Sequence, residues 1–193
     1  MTGPRMPPAD APPTGPVQPA TPGGRLRLFV ALWPTPAVRD AIAAWQGRWA
    51  WPAGAKPVAA ERLHLTLQFL GMVPEGRLPT LSAALATVAV QPLTTRWGRV
   101  QDWDGIAVLR PLAMSGPLQA LHEACGRAVQ AAGLPTEARR FRPHLTLARK
   151  ARGALPPAGD FRLDWNCDGG FALVQSVGQG GGYRVLQAFT PQR

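Results

Sequence analysis

The chain has 193 residues, 46% of them apolar, and 21 Lys+Arg against 11 Asp+Glu for a net charge of +10. This is enough chain for one ordinary domain with a sizeable core. No stretch approaches the roughly 20 apolar residues of a membrane helix, no apolar run follows a basic start as in a signal peptide, and two cysteines make no disulfide framework.

In chain order, residues 1–24 hold eight prolines and one charge of each sign, Arg5 and Asp10. Nothing there is periodic or apolar enough to offset the cost of ordering, so the segment reads as a disordered arm outside a single domain over 25–193. At Arg25 the pattern changes. RLRLFVALW (25–33) reads as a strand. TPAVRDAIAAWQGRW (35–49) carries a helix start, with Thr35 as cap and Pro36 at the first helical position. Ala37, Ala41, Ala44 and Trp45 form its stripe, and Trp45 and Trp49 are spaced as one helix face. A Pro/Gly loop, WPAGAKP, leads to ERLHLTLQFLG, which alternates as a strand does. EGRLPTLSAALATVAV reads as a second helix.

The second half repeats the order. DGIAVLRPL (104–112) opens on a turn dipeptide and continues as a strand. SGPLQALHEACGRAVQAAG (115–133) is a helix with Ser115 as cap and Gly133 as stop. RFRPHLTLARK follows, and then FALVQSVG (171–178) and YRVLQAF (183–189), a hairpin joined by QGGG. An offset of 80 residues aligns Thr35 with Ser115, Arg62 with Arg142, and His64 with His144. Both halves therefore read strand, helix, strand with His-Leu-Thr-Leu.

On a strand, alternate side chains share a face. His64 and Thr66 point one way, Leu65 and Leu67 the other; His144 and Thr146 repeat this. If a pseudo-twofold axis relates the halves, the polar faces meet in one cleft. Two imidazoles with ordinary pKa near 6.5 can be held one neutral and one protonated, as base and acid. Threonine hydroxyls can donate to a phosphoryl oxygen whose charge grows in the transition state. Six basic residues and no acid lie between Arg139 and Arg152, around His144. Only two basic residues of the chain are lysines, and arginine suits bidentate phosphate contacts. The set fits displacement at a phosphodiester with an anionic partner, nucleic acid before membrane.

Other chemistries lack parts. Zinc needs three or four ligands, and the tetrads supply two histidines without a carboxylate. His122 opens HEACG, not H-E-x-x-H, and at helical spacing from Leu118 and Cys125 it belongs to the core or the helix surface. The chain has no G-x-S-x-G and GQGGG is not G-x-G-x-x-G. Cys125 and Cys167 read as buried thiols of a reducing cytoplasm. Phe69 and Phe141 flank the tetrads and can stack on a base. Arg62 and Arg142 each lie two residues before a histidine and share its face.

The paired HLTL tetrads, with RLFVALWP before them and FALVQSVG…YRVLQAF after, resemble the 2H phosphoesterases, and within them the bacterial RNA 2′,3′-cyclic phosphodiesterases, also called 2′-5′ RNA ligases. The resemblance covers nearly all of 25–193. It implies an α+β fold of two pseudo-symmetric lobes, antiparallel sheet plus helices, around a central cleft. It implies a metal-independent, cofactor-free monomer that opens RNA 2′,3′-cyclic phosphates, tRNA fragments included, to 2′-phosphates; ligation is the reverse reaction. It assigns His64 as proton donor to the departing 3′ oxygen, His144 as the base, and Thr66 and Thr146 as phosphate-binding residues. Arg149 matches the arginine of an H-x-T-x-x-R extension, although strict alternation turns it off the histidine face. Relatives that act on small cyclic nucleotides or an ADP-ribose cyclic phosphate keep a second substrate class open, and a non-catalytic RNA-end-binding module is the third reading.

Overall fold

In a computed structural model, residues 23–178 and 182–191 are described. The proline-rich arm therefore lies outside the described residues as far as position 22, as does most of the QGGG connection.

Strand β1 (Arg25–Leu32) is buried over its last five residues on both faces. Leu28, Val30 and Leu32 enter the main core, whereas Phe29 and Ala31 join a smaller cluster with Ala172 and Val174. Helix α1 (Pro36–Gln46) starts at the expected proline, but Thr35 caps it only through its carbonyl, which accepts from Arg39 N at 2.8 Å. Its buried stripe is Val38, Ile42 and Trp45; Ala37 and Ala44 are exposed. The branched and aromatic side chains take the inner face because they remove more apolar area from water than alanine does. Trp49 lies beyond the helix end and still packs edge-on against Trp45, with centroids 5.1 Å apart.

The expected Pro/Gly loop contains a two-residue strand, β2 (Lys56–Pro57), and a 3-10 turn (Ala60–Arg62) precedes β3 (Leu65–Pro74). Helix α2 (Leu78–Ala86) buries Leu81 and Leu85. Two strands fall in stretches to which the sequence pattern assigns no element: β4 (Leu93–Asp102) and β7 (Leu163–Cys167). In β4, Leu93, Thr95 and Trp97 are buried and the residues between them exposed, the alternation of a half-buried strand. The expected turn dipeptide joins β4 to β5 (Ile106–Pro111). Asp104 and Gly105 both have positive φ, 52° and 80°, and Trp103 and Ile106 exchange backbone hydrogen bonds, as in a tight two-residue hairpin.

Helix α3 (Gly116–Ala131) buries Leu118, Leu121, Cys125 and Val129 and stops before Gly133, whose φ is +71°. Ser115 makes no side-chain cap bond. Strand β6 (Leu145–Arg149) carries the second tetrad, and β8 (Phe171–Ser176) pairs with β9 (Tyr183–Phe189) as the expected closing hairpin.

The strands form one antiparallel sheet in the order β7-β4-β5-β6-β3-β1-β8-β9, with β2 also on β6. It divides into the two expected halves, β6-β5-β4-β7 and β3-β1-β8-β9. The repeat holds for β1-α1-β3 and β5-α3-β6; the outer strands of the halves come from unrelated points of the chain. The halves meet at a single rung, Leu65 opposite Leu145. Beyond it β3 and β6 diverge, and β2 takes the freed edge of β6, Lys56 opposite Arg149.

Candidate active site

The rung joins residues that are equivalent under the 80-residue offset, so the pseudo-twofold axis passes between Leu65 and Leu145. Antiparallel pairing there sets His64 across from Thr146 and His144 across from Thr66. All four belong to one face, while Leu65 and Leu145 are fully buried on the other. The cavity on the polar face measures about 360 Å³ and is lined by both histidines, both threonines, Arg62, Arg149, Lys56 and Tyr183.

Each tetrad strand bulges at its last leucine. Val30 faces Gln68 and Ala31 faces Thr66, leaving Leu67 extra; Ala107 faces Ala148 and Val108 faces Thr146, leaving Leu147 extra. One inserted residue reverses the alternation beyond it. Leu147 and Ala148 are consequently both buried, and Arg149 returns to the histidine face. Its place in the cleft follows from the bulge, which strict alternation does not anticipate. Phe69 holds the corresponding position of β3, but it lies outside the cleft, with the Arg27 guanidinium 5.2 Å from its ring centroid.

The bulged carbonyls are satisfied across the pseudo-axis. From the first half, Gln46 Nε2 donates to the carbonyls of Leu147 at 2.6 Å and Val58 at 3.0 Å. From the second half, His122 Nδ1 donates to the Leu67 carbonyl at 2.7 Å. Gln68 Nε2 in turn donates to the His122 carbonyl at 2.8 Å. His122 is thus a helix residue as expected, but one that fixes the backbone of the first tetrad strand. Each half's helix holds the other half's bulge.

The two candidate imidazoles are held alike. His64 Nδ1 donates to the Arg62 carbonyl at 2.7 Å and His144 Nδ1 to the Arg142 carbonyl at 2.8 Å. A carbonyl only accepts, so Nδ1 carries the proton and Nε2 is the nitrogen free for chemistry. His64 packs among Phe29, Trp33 and Tyr183, with centroid distances of 5.1, 5.5 and 4.9 Å. Trp103 lies 4.6 Å from His144. Burial pushes His64 from 6.5 down to about 4; the Arg62 carbonyl opposes this, while His144, Arg149 and Arg62 add to it by charge. His144 is lowered too, by burial first and then by the charges of Arg110, Arg142 and Arg149, against its own carbonyl contact. Both imidazoles are therefore neutral at pH 7 in the free protein, not one neutral and one protonated. The surrounding cations ask for an anion, and an anion would raise both values.

The expected binding residues divide. Arg62 and Arg149 line the cleft, with the Arg62 guanidinium 5.0 Å from the Tyr183 ring. Arg142 instead lies 4.2 Å over Trp103 and borders a neighbouring cavity. Phe141 is stacked on His122, centroids 3.9 Å apart at 4°, away from the cleft. Residues that the sequence pattern did not reveal are Lys56, which hid in a loop, and the aromatics Trp33, Trp103 and Tyr183. Tyr183 is the chain's one tyrosine, and it opens the strand that follows the closing turn. Cys125 is buried, its thiol pushed up to about 12 by burial, and Cys167 is half-buried. Among the described residues no three His, Cys, Asp or Glu side chains come together as a metal site, and no helix is long and apolar enough to cross a membrane.

Residues 34–158 match the family model described as the 2′-5′ RNA ligase superfamily. The chain is 33% identical over 186 residues to the RNA 2′,3′-cyclic phosphodiesterase of Thermus thermophilus, covering 86% of this chain and 90% of the relative. The protein of that name from Escherichia coli is 33% identical over 138 residues, covering 69% and 78%. The crystal structure of E. coli LigT in apo form superposes with a TM-score of 0.74 at 26% identity, covering 88% of this chain and 99% of that one. With the paired tetrads on one antiparallel sheet and a match across most of its length, the chain belongs to the 2′-5′ RNA ligase superfamily of 2H phosphoesterases.

Proposed function

We propose that this protein is an RNA 2′,3′-cyclic phosphodiesterase, a hydrolase that opens the cyclic phosphate at an RNA end to a 2′-phosphomonoester. The observation that carries the reading is the Leu65–Leu145 rung, which sets two His–Thr pairs across a pseudo-axis on one face of the sheet. The relatives' shared activity supports the substrate class.

Water attacks phosphorus in line with the 3′ oxygen. His144, neutral, takes the water proton on Nε2. The P–O3′ bond breaks, and the 3′ oxygen takes a proton from Nε2 of His64, leaving the phosphate on O2′. Thr66 and Thr146 donate to the equatorial oxygens, and Arg62 and Arg149 balance their charge. Because His64 is neutral in the free protein, its acid role needs the substrate: the charge of the bound phosphate opposes the burial, and the added charges of His144, Arg149 and Arg62, that hold the imidazole deprotonated, so that Nε2 takes up from solvent the proton it then gives to the 3′ oxygen. Each histidine keeps its tautomer through the carbonyl two residues before it. No metal ligand set is part of this scheme. We read the enzyme as a cytoplasmic monomer, since one chain supplies both tetrads, with tRNA fragments among its RNA substrates.

The test is incubation of the purified protein with oligonucleotides ending in a 2′,3′-cyclic phosphate. A 2′-phosphate product is expected; a 3′-phosphate product, or none, overturns the reading.

A further inference from the structure

The geometry points to a second anion subsite beside the catalytic cleft, built for the phosphodiester of the nucleotide that precedes the cyclic end; this rests on the function proposed above. A cavity of about 410 Å³ opens next to His144. Arg99, Arg110, Arg140 and Arg142 form its walls, Phe141 and Met114 are among its apolar lining, and no acidic residue lines it.

Three observations argue that this cluster is made for an anion. Arg99 and Arg110 are direct partners across the β4–β5 pair, and like charges placed opposite each other destabilise a sheet unless something neutralises them. The neighbours accept hydrogen bonds without cancelling that charge: Arg99 donates to the Leu112 carbonyl at 3.2 Å and Arg110 to the Gln101 side-chain oxygen at 3.1 Å. Arg110 Nε is buried with no hydrogen-bond partner among the described residues, and such a donor is costly to leave unmet. Burial and the charges of Arg142 and Arg99 also lower the Arg110 pKa, the direction a bound phosphate would reverse.

The cavity is coupled in space to the chemistry. The Arg142 guanidinium lies 4.2 Å from the centroid of Trp103, and the same ring lies 4.6 Å from His144. The Arg142 carbonyl is what holds His144. A ligand spanning both cavities would pass Trp103, with one phosphate at the histidines and the next at the arginines, as neighbouring nucleotides of one strand would place them. Arginines for the backbone beside an apolar, aromatic lining for a base is the combination that single-stranded nucleic acid needs. The consequence is selectivity: an RNA end fills both sites, a free cyclic mononucleotide only one.

The experiment compares kcat/KM for 2′,3′-cyclic AMP and for a trinucleotide ending in a 2′,3′-cyclic phosphate. It uses the wild-type protein and the Arg99→Gln/Arg140→Gln variant, both positions being exposed. The wild type should prefer the trinucleotide, and the variant should lose at least roughly tenfold of that preference. Its slope of log affinity against log salt for the trinucleotide should fall by about 0.7 for each phosphate that the variant no longer neutralises. No preference in the wild type, or an equal loss on both substrates, overturns the subsite. If the wild type cleaves neither substrate, the proposed activity fails. The subsite is then judged by fluorescence anisotropy with a 2′-phosphorylated trinucleotide, where equal Kd for wild type and variant overturns it.

Discussion

Replacing Gln46 by methionine keeps the side chain's length and volume and removes its amide. In the native protein that amide donates to the carbonyls of Val58 and Leu147. The Leu147 carbonyl keeps a second donor, Val58 N at 2.7 Å, so its loss is that of one ordinary hydrogen bond, about 1 kcal/mol. The Val58 carbonyl loses its side-chain donor in a part-buried setting, which costs about 1–3 kcal/mol. Stability should therefore fall by about 2–4 kcal/mol. For a chain of this size about 2–4 °C of Tm goes with each kcal/mol, so thermal unfolding followed by circular dichroism should show a drop of roughly 5–15 °C. The kinetic effect is separate. The bulge at Leu147 orients Thr146 on one side and Arg149 on the other, and a displacement of an ångström at a reacting centre can cost about 10²-fold. We expect kcat/KM on a cyclic-phosphate oligonucleotide to fall by roughly 10–100-fold at a temperature where the variant is folded. Unchanged stability would refute the hydrogen-bond accounting, and lost stability with intact kinetics would show that the bulge does not aim the site.

Three further outcomes follow from the site. His64→Ala and His144→Ala should each lower kcat by roughly 10²–10⁴-fold, with the double variant losing less than the product of the two; a substrate with a good leaving group should partly rescue only His64→Ala, and rescue of His144→Ala instead reverses the roles. Burial and nearby guanidiniums disfavour imidazolium, so NMR titration of the free protein should place His64 near pH 4 and His144 below 6.5, and 2′-AMP should shift both upward; a His64 resonance titrating at or above 6.5 without ligand would contradict the burial argument. Hydrolysis should survive EDTA, and loss of turnover restored by zinc or manganese would overturn the two-histidine scheme.

The parts of this molecule that could be read from sequence were those governed by local rules. Pro36 marks a helix start through its fixed φ, Asp104-Gly105 marks a hairpin through positive φ, and the repeated tetrad marks two equivalent strands. The parts that escaped depend on partners distant in the chain. β4 alternates clearly, but its neighbour Trp165 on β7 comes some seventy residues later, and β7 is only five residues long. β2 exists because β3 veers from β6 and leaves an edge open. Arg149 could not be placed without the bulge, and the bulge depends on Gln46, about a hundred residues away. Phe141 and Arg142, adjacent to the tetrad in sequence, serve His122 and Trp103 instead, since proximity along the chain says little about which cavity a long side chain enters.

The crossed attachment of the helices bears on how such a molecule could have begun. A half-length peptide with one tetrad, one helix and one flanking strand would leave its bulged carbonyl without a donor, because the donor belongs to the other copy. Two such peptides could complete each other only face to face about a true dyad, trading helices as a swapped homodimer does. That dimer would present two identical imidazoles to one phosphorus, with nothing in its framework to distinguish the end that gives a proton from the end that takes one. Joining the copies in a single chain removes that constraint. Gln46 and His122, Phe69 and Arg149, Tyr183 and Trp103 now differ on the two sides, so the two imidazoles no longer sit in identical surroundings.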